Sequence, residues 1–297
     1  MTRGVPLLSQ LFAKKLGKAY LTCMSQRRIP KSATVRHVEW LTPEVVRVVA
    51  ALDDPASMPE LTKTDHYVKI LFPVGEYAWP FDPEQIRAVR PREEWPVTRT
   101  YTVRSWAPAA NEMTLDFVVH GDEGIAGPWA ATVEPGTRFG FMGPGGAWAP
   151  DPDADVHLFV GDESAHPAIA AGLEALPDSA RALVFLEAYD STGHQPLPDH
   201  PGAEVTWVHR EDGSVSLAET VRSMTWPEGR VVAFIHGNAE TVRDLRRYLF
   251  VERGLPKSDA SISGYWRPGQ NEDGWQAGKK DFVATMEAEE TQLASRR

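Results

Sequence analysis

The feature of this 297-residue sequence that most constrains its fold is a change of pattern at a glycine- and proline-rich segment, residues 143–146. Before this segment, short stretches rich in β-branched and aromatic residues are separated by Pro, Gly, Asn or Asp, a spacing typical of a closed antiparallel barrel. After it, from Val156, apolar strands alternate with helical segments, which indicates a mostly parallel sheet with crossover helices. The sequence therefore predicts a β-barrel followed by an α/β domain.

The change of pattern divides the chain into four predicted parts. They are a basic N-terminal arm (1–30), a β-barrel domain (31–150), an α/β domain (151–276) and a C-terminal tail (277–297) that we predict to be helical. The predicted strands are 34–40, 45–51, 66–72, 98–106 and 113–120 in the barrel, and 156–160, 182–188, 204–209, 231–236 and 261–266 in the α/β domain. This length fits two packed domains of about 100–200 residues each.

Composition excludes several classes of function. The formal charge of −10 argues against general nucleic-acid binding, which usually needs a basic surface. The single cysteine, Cys23, cannot form an internal disulfide, a zinc knuckle or a four-thiolate iron–sulfur cluster. His194, His200 and His209 lack standard metal-ligand spacing, so we predict no protein-bound metal. The sequence shows neither a membrane span nor a secretory signal, which favours a cytoplasmic protein.

Positive charge is concentrated at the N-terminus. Residues 1–38 contain eight basic residues and no acidic residue, and apolar residues recur there at near-helical spacing. Such an arm could contact an anionic membrane surface or a partner. The alternative, which we favour, is a short helix that packs on the body of the protein.

Three motifs contain candidate chemistry, although each alone also fits a purely structural role. The first is RTYT at residues 99–102, where strand alternation places Arg99 and Tyr101 on one face. A guanidinium there could bind a phosphate through two N–H groups, and a phenol ring could stack on a flat heterocycle. The second is a glycine-rich loop at residues 120–130 that leads into a helix, whose free N–H groups could bind an anion. The third, GDESAHP at residues 161–167, follows an apolar strand, where α/β domains bind a dinucleotide pyrophosphate.

Taken together, these motifs resemble those of the siderophore-interacting proteins, FAD-dependent ferric-siderophore reductases of the ferredoxin–NADP reductase superfamily. The resemblance extends over roughly residues 33–285 and includes DHYVKILFP (65–73), RTYTVR (99–104), DFVVHGDEGIAGPWA (116–130), GPGG (143–146), GDESAHPA (161–168), RRYLFVERGLP (246–256) and SGYWRPG (263–269). It implies an FAD-binding barrel and an NAD(P)H-binding α/β domain. Electrons would pass from NADPH or NADH through FAD to siderophore-bound Fe(III), and Fe(II) would be released.

The resemblance also implies roles for individual residues at the flavin. Arg99, with Thr100 beside it, would hold the FAD pyrophosphate. Tyr101 would lie against the flavin and Thr102 would reach its N5 edge, which makes these two the candidate catalytic residues. Strict alternation points Thr102 to the opposite face, so its role requires a strand end or a bulge. Further implied FAD contacts are His120, Gly121, Ala126, Gly127 and Trp129.

The donor and acceptor sites follow from the same resemblance. The implied NAD(P)H contacts are Gly161, Asp162, Glu163 and Ser164, and the implied siderophore contacts are Lys69 and Arg267. Arg104, at the end of the flavin strand, is a third and weaker candidate for the siderophore site. Glu187 at a strand end could accept a hydrogen bond from the ribose of NADH, whereas Arg210 after the next strand could pair with the 2′-phosphate of NADPH. The sequence leaves open which donor is used, which siderophore is bound and how many subunits assemble.

The sequence departs from the family pattern at several positions. Gly127 replaces a residue that is usually Ser, which removes one hydroxyl ligand, and Pro128 supplies no N–H. His166 replaces a residue that is usually aliphatic. Asn238 stands where the family generally has Glu, and it could be the N-cap of the next helix.

Two other functions remain possible from the sequence. One is a general NAD(P)H flavin reductase that serves a protein partner instead of a siderophore. The other is a non-catalytic ferric-siderophore carrier, which needs a basic pocket but no flavin. An esterase that cleaves the siderophore is disfavoured, because Ser164 lacks the G-x-S-x-G nucleophile elbow.

Overall fold

The computed structural model describes residues 30–121, 124–213 and 215–294. The basic arm predicted at residues 1–30 therefore lies outside the described residues, except for Pro30. From Lys31 onward the chain forms one unit, which contains both predicted patterns. None of the helices in this described part is long and apolar enough to cross a membrane.

The first part of the described chain is a closed antiparallel barrel, as predicted. Its strands are β1 (Lys31–Thr42), β2 (Val45–Leu52), β3 (Tyr67–Phe72), β4 (Val97–Ala107), β5 (Glu112–Val118) and β6 (Arg138–Gly145). They follow the order β1-β2-β5-β4-β3-β6 around the barrel. Strand β6, which the sequence analysis did not identify, pairs with both β1 and β3 and so closes the barrel.

Two short helices accompany the barrel. The helix α1 (Pro83–Val89) was not predicted; it begins after Asp82, whose side chain accepts a hydrogen bond from the Glu84 N–H. The helix α2 (Ala126–Thr132) carries Trp129 into an aromatic cluster, where its ring lies 5.5–5.6 Å from the rings of Phe72, Phe117 and Phe139. These contacts pack α2 on the barrel core.

The second part of the described chain is a parallel sheet of five strands in the order β11-β10-β7-β8-β9. The strands are β7 (Val156–Gly161), β8 (Arg181–Ala188), β9 (Ala203–His209), β10 (Val231–Asn238) and β11 (Ala260–Trp266). Strands β7 and β10 are buried along almost their whole length, as expected where helices cover both faces of a sheet. The strand order reverses between β7 and β10, and α/β domains bind ligands at such a switch point.

The helices of this part are α3 (His166–Glu174), α4 (Leu217–Ser223), α5 (Ala239–Arg247) and α6 (Glu272–Ala294). Ser216 and Glu219 form a capping box at the start of α4. The Asn238 side chain accepts a hydrogen bond from the Glu240 N–H at 2.9 Å and so caps α5, as predicted. The helix α5 is followed directly by a π-helical turn over Tyr248–Glu252.

The segment that joins the barrel to the sheet contacts both of them. The Asp65 carboxylate accepts hydrogen bonds from two consecutive backbone N–H groups of this segment, both at 2.8 Å. The ring of Trp148 packs on Phe159 and Phe234 of the parallel sheet. The barrel and the sheet are thereby joined by packed side chains as well as by the backbone.

Candidate functional site

Strand β4 directs successive residues of the RTYT motif to opposite sides. Tyr101 packs against the barrel core, with its ring centroid 4.1 Å from that of Phe117. Thr102 is buried on the other side, where its side chain lies close enough to Tyr265 of β11 to oppose the rise in the pKa of that phenol. The bulge of β4 lies between Val103 and Ser105, so it does not turn Thr102 to the side of Tyr101. Thr102 therefore marks a point where the barrel meets the parallel sheet.

Tyr265 is a candidate site residue that the sequence analysis did not assign. Burial raises the pKa of its hydroxyl group, which stays protonated. Its ring meets that of His236 edge to face, with centroids 5.1 Å apart. Thr102, Tyr265 and His236 thus form a continuous line of contacts from the barrel strand to the end of β10. The position of Tyr265 near the end of a parallel strand is the signal that could have identified it.

His236 is a neutral residue in this line. Its ring stacks on Phe234 at 3.8 Å, and its Nε2 lies 3.0 Å from the Ser261 hydroxyl oxygen. Burial, followed by the charge of Lys279, lowers the pKa of His236 to about 3. At neutral pH the imidazole can therefore exchange hydrogen bonds but adds no positive charge to the site.

Arg99 binds two carboxylates from the first turn of α6. Its Nη atoms lie 3.2 and 3.0 Å from the carboxylate oxygens of Asp273, and its Nε lies 3.6 Å from Glu272. The Thr100 N–H also donates to Glu272, at 3.3 Å. The Arg99 side chain is only 12% exposed, so it is held in place at the strand edge. A guanidinium beside a backbone N–H is a donor set that fits a diphosphate, and here both donors are paired with carboxylates.

The glycine-rich loop lies after β5, and residues 122–123 of it are outside the described part. His120 and Gly121 are exposed, whereas Ala126 is buried at the start of α2 and Gly127 is half-buried. Trp129 and Tyr101 both contact the ring of Phe117. The helix after the glycine-rich loop and the RTYT motif therefore pack on the same residue of the barrel core. Contacts of this loop with a pyrophosphate stay a prediction.

A narrow cleft opens at the switch point of the parallel sheet. It is lined by Val160, Asp162, Glu187, Leu217, Ile235, His236, Asn238 and Thr241. The third motif thus meets the carboxyl ends of β8 and β10, which is the usual place for a nucleotide in an α/β domain.

Asp162 connects the loops around this cleft. One carboxylate oxygen accepts from the N–H of Ser164, at 2.9 Å, and from its hydroxyl group. The other accepts from the Asn238 N–H at 2.7 Å and from the Trp266 indole N–H at 2.8 Å. Burial raises the pKa of Asp162, against the opposing effect of these donors. Asp162 therefore ties the loop after β7 to the ends of β10 and β11, a role that the sequence did not indicate.

Arg210 lies between two carboxylates rather than at an open surface. Its guanidinium donates twice to Glu163, in one bond at 2.9 Å, and once to Glu187 at 3.3 Å. Burial raises the pKa of Glu187, and the hydrogen bond from Arg210 opposes this rise. Glu187, which suggested NADH as the donor, therefore contacts Arg210, which suggested NADPH.

The three predicted siderophore contacts have different surroundings. Lys69 is exposed on β3, opposite Thr100 in the strand register. Arg104 makes two hydrogen bonds with Glu174 of α3, at 2.8 and 2.7 Å. Arg267 donates to Glu240 at 2.8 Å and lies over the ring of Phe282. Lys69 thus presents its ammonium group to solvent, whereas the two arginines are held in ion pairs.

The histidines noted in the sequence have other partners. The Nε2 atoms of His194 and His209 lie 2.8 Å apart, and His200 contacts the backbone carbonyl of Pro177. Among the described residues, no group of three or more His, Cys, Asp or Glu side chains is arranged to hold a metal ion.

Comparison with known protein families matches both parts of the chain. Residues 34–148 match the siderophore-interacting FAD-binding domain, and residues 154–269 match the siderophore-interacting protein family. An uncharacterized protein of Mycobacterium tuberculosis is 41% identical over 261 residues, which cover 82% of this chain and 92% of that protein. The ferric vibriobactin reductase ViuB of Vibrio cholerae is 32% identical over 260 residues, covering 84% of this chain and 94% of the reductase.

A solved structure shows the same fold. The crystal structure of a siderophore utilization protein from T. fusca aligns with a TM-score of 0.70 at 34% identity. The alignment covers 82% of this chain and 95% of that one.

Proposed function

The chain belongs to the siderophore-interacting protein family, and we propose that it is an FAD-dependent reductase that takes electrons from NADH or NADPH and reduces siderophore-bound Fe(III). The observation that carries the proposal is the contact line Thr102–Tyr265–His236, which joins the predicted flavin strand to the nucleotide cleft. FAD, when bound, supplies both hydride acceptance and single-electron donation. An enzyme of this kind needs its donor and flavin sites in contact, and this line of contacts supports the proposal that the two sites adjoin.

In the proposed enzyme, the residues of the site bind FAD and orient it. Arg99 and Thr100 would hold the pyrophosphate through charge-assisted and backbone hydrogen bonds. Thr102 is buried beside Tyr265, and the Tyr101 ring packs on Phe117, so neither side chain has to be ordered when the cofactor binds. His120, Gly121, Ala126, Gly127 and Trp129 remain the proposed contacts to the rest of FAD.

The proposed substrate is a chelated ferric ion, and the protein needs no iron ligand of its own. Hard oxygen donors hold small, highly charged Fe(III) more tightly than Fe(II), so reduction loosens the complex and releases the metal. Ferric siderophores are often anionic, and the chain carries a charge of −10. Lys69 would supply local positive charge for such a substrate. Arg267 and Arg104 are weaker candidates, because their charges are paired with Glu240 and Glu174.

The role of Lys69 leads to a kinetic prediction. Lys69→Ala should raise KM for an anionic ferric chelate by about threefold to tenfold at low salt, because an exposed charge mainly steers the substrate. The effect should shrink with added salt and be absent for a neutral chelate. Lys257→Ala is a control for loss of one positive charge, since Lys257 precedes β11 of the parallel sheet, whereas Lys69 lies on the barrel. Equal KM values for the Lys69 variant and the wild type at low salt would contradict the assignment.

The carboxylates on Arg99 lead to a second prediction. Glu272 and Asp273 form ion pairs with the Arg99 guanidinium, which would bind the FAD phosphates, so the two carboxylates would compete with the cofactor. The double substitution Glu272→Gln with Asp273→Asn should tighten FAD binding by about threefold to tenfold, a range typical of partly exposed ion pairs. A fluorescence titration of the apoprotein with FAD measures this. Glu287→Gln with Glu289→Gln, which changes the same charge farther along α6, should leave the affinity unaltered; weaker FAD binding by the first variant would refute competition.

A simple experiment distinguishes the proposed function from a siderophore carrier. The purified protein should be yellow, and NADH or NADPH should bleach its flavin under anaerobic conditions. A colourless protein that cannot be reconstituted with FAD would favour the carrier. If the flavin is reduced but a panel of ferric chelates fails to reoxidise it, a reductase for a protein partner becomes the better proposal.

The proposed partner is a ferric siderophore. Contact of the basic arm with a membrane or a partner stays a prediction, because residues 1–29 lie outside the described part of the chain. The cytoplasmic location also stays a prediction.

A further inference from the structure

We infer that the nicotinamide donor is NADH rather than NADPH, because Arg210, the candidate partner of a 2′-phosphate, is already neutralised by two carboxylates. The inference rests on the proposed function and names the donor that this function uses. It depends on the ion cluster formed by Glu163, Glu187 and Arg210, which we call the ribose cluster.

The ribose cluster lies at the carboxyl ends of three parallel strands. Glu163 follows β7, Glu187 is the second-last residue of β8, and Arg210 directly follows β9. Glu187 also lines the nucleotide cleft. In α/β dinucleotide sites, the residue at the end of the second strand faces the adenosine ribose, where a carboxylate accepts from the hydroxyl groups and an arginine accommodates a 2′-phosphate. The cluster therefore occupies the place where NADH and NADPH differ.

The charge of the ribose cluster is unfavourable for a phosphate. Two carboxylates and one guanidinium give a net charge of −1 when all are ionised. Burial raises the pKa of Glu187, but protonation of Glu187 would make the cluster neutral and not cationic. A phosphate monoester carries about −1.5 to −2 charges at pH 7, so it meets either repulsion or no net attraction. A ribose hydroxyl, in contrast, can donate to Glu187 without a charge penalty.

Arg210 is also poorly placed to leave its partners for a phosphate. The Glu163 side chain is 7% exposed and receives two of the guanidinium's hydrogen bonds. Moving Arg210 away would leave that carboxylate buried and unpaired, which is strongly unfavourable. Other acidic groups nearby would add to this cost. Glu44 is one of them: burial, and next the charge of Glu163, raise its pKa, and the charge of Asp190 raises it further.

Binding of the oxidised nucleotides tests the inference without turnover. Isothermal titration of the FAD-loaded wild-type protein with NAD⁺ and with NADP⁺ should show at least about tenfold tighter binding of NAD⁺, since one unfavourable charge contact is enough for such a ratio. The pair 5′-AMP and 2′,5′-ADP isolates the same difference on the adenosine part alone. The ratio of kcat/KM values for NADH and NADPH should follow the binding ratio.

Substitution of one carboxylate tests the cause. Glu187→Gln keeps the size of the side chain and removes its charge, so it should raise the affinity for NADP⁺ and lower the affinity for NAD⁺. The ratio of the NAD⁺ affinity to the NADP⁺ affinity should therefore fall by about fivefold or more. Glu204→Gln is the matched control, because Glu204 pairs with Arg181 at 3.1–3.2 Å on the same two strands, near their other ends. The control should keep the wild-type ratio.

Each outcome bears on the inference. Binding of NADP⁺ by the wild type as tightly as NAD⁺, or an equal change for both nucleotides in Glu187→Gln, would overturn the inference while leaving the reductase proposal intact. Binding of neither nucleotide, with no reduction of the flavin by either donor, would overturn the nicotinamide step of the proposed function and this inference with it. Preference for NAD⁺ that Glu187→Gln narrows and Glu204→Gln does not would support it.

Discussion

Replacement of Arg99 by alanine should release FAD from an otherwise folded protein. A phosphate would lose its charge-assisted partner, which is worth about 1.5–3 kcal/mol, so the affinity for FAD should fall by about tenfold to a hundredfold. Gel filtration followed by the flavin absorbance, together with circular dichroism for the fold, measures both quantities. Full flavin retention in the variant would remove Arg99 from the site.

A second variant separates loss of the phosphate contact from loss of the α6 contact. Arg99→Ala also breaks the ion pairs with Glu272 and Asp273, so a displaced α6 could weaken FAD binding indirectly. The double variant Glu272→Gln with Asp273→Asn breaks the same ion pairs but keeps the guanidinium. It should retain FAD, and if it loses FAD as Arg99→Ala does, then docking of α6 explains both results.

The largest expected effect on stability is that of Gly237→Ala. Gly237 has a φ of +125°, and a Cβ built on it would lie 2.5 Å from an Asp162 carboxylate oxygen. That carboxylate is held by donors from several loops, so it cannot move aside without breaking their hydrogen bonds. Backbone strain and overpacking together should cost about 3–5 kcal/mol, measured as the free energy of unfolding in urea.

Gly254→Ala is the matched control for this prediction. Gly254 also has a positive φ, +70°, but no atom lies within 4 Å of a Cβ at that position. Its substitution should therefore cost only the backbone term, about 1–2 kcal/mol. Equal losses for both variants would show that the contact with Asp162 is unimportant.

The two-part fold was predictable because each part has its own sequence period. Short β-branched segments give the barrel, and strands that alternate with helices give the parallel sheet. Strand β6 was missed because RFGFMGPG contains three glycines and a proline, residues that are poor strand formers. The structure explains one of them: a Cβ on Gly140 would lie 2.2 Å from the Trp79 ring. The packing of a distant indole, and not local propensity, determines that residue.

The candidate site was predictable as motifs but not as contacts. Local sequence indicates that Arg99 can bind an anion and that Glu187 ends a strand. It does not show that Arg99 meets Asp273, 174 residues away, or that Arg210 meets Glu163, 47 residues away. Tyr265 was missed for the same reason, since its partner Thr102 belongs to the barrel. Pairings across the fold decide which charges are available to a ligand, and the sequence analysis could not provide them.

The most direct test of the proposed reductase is an anaerobic half-reaction on the FAD-loaded protein. NADH should first bleach the flavin, and a ferric siderophore should then restore its absorbance while an Fe(II)-specific chelator reports the released metal. We expect Fe(II) to appear in proportion to the flavin reoxidised, and we expect omission of either FAD or the donor to abolish its release. A flavin that stays reduced in the presence of hydroxamate, catecholate and hydroxycarboxylate ferric complexes alike would contradict the assignment of this protein as a ferric-siderophore reductase.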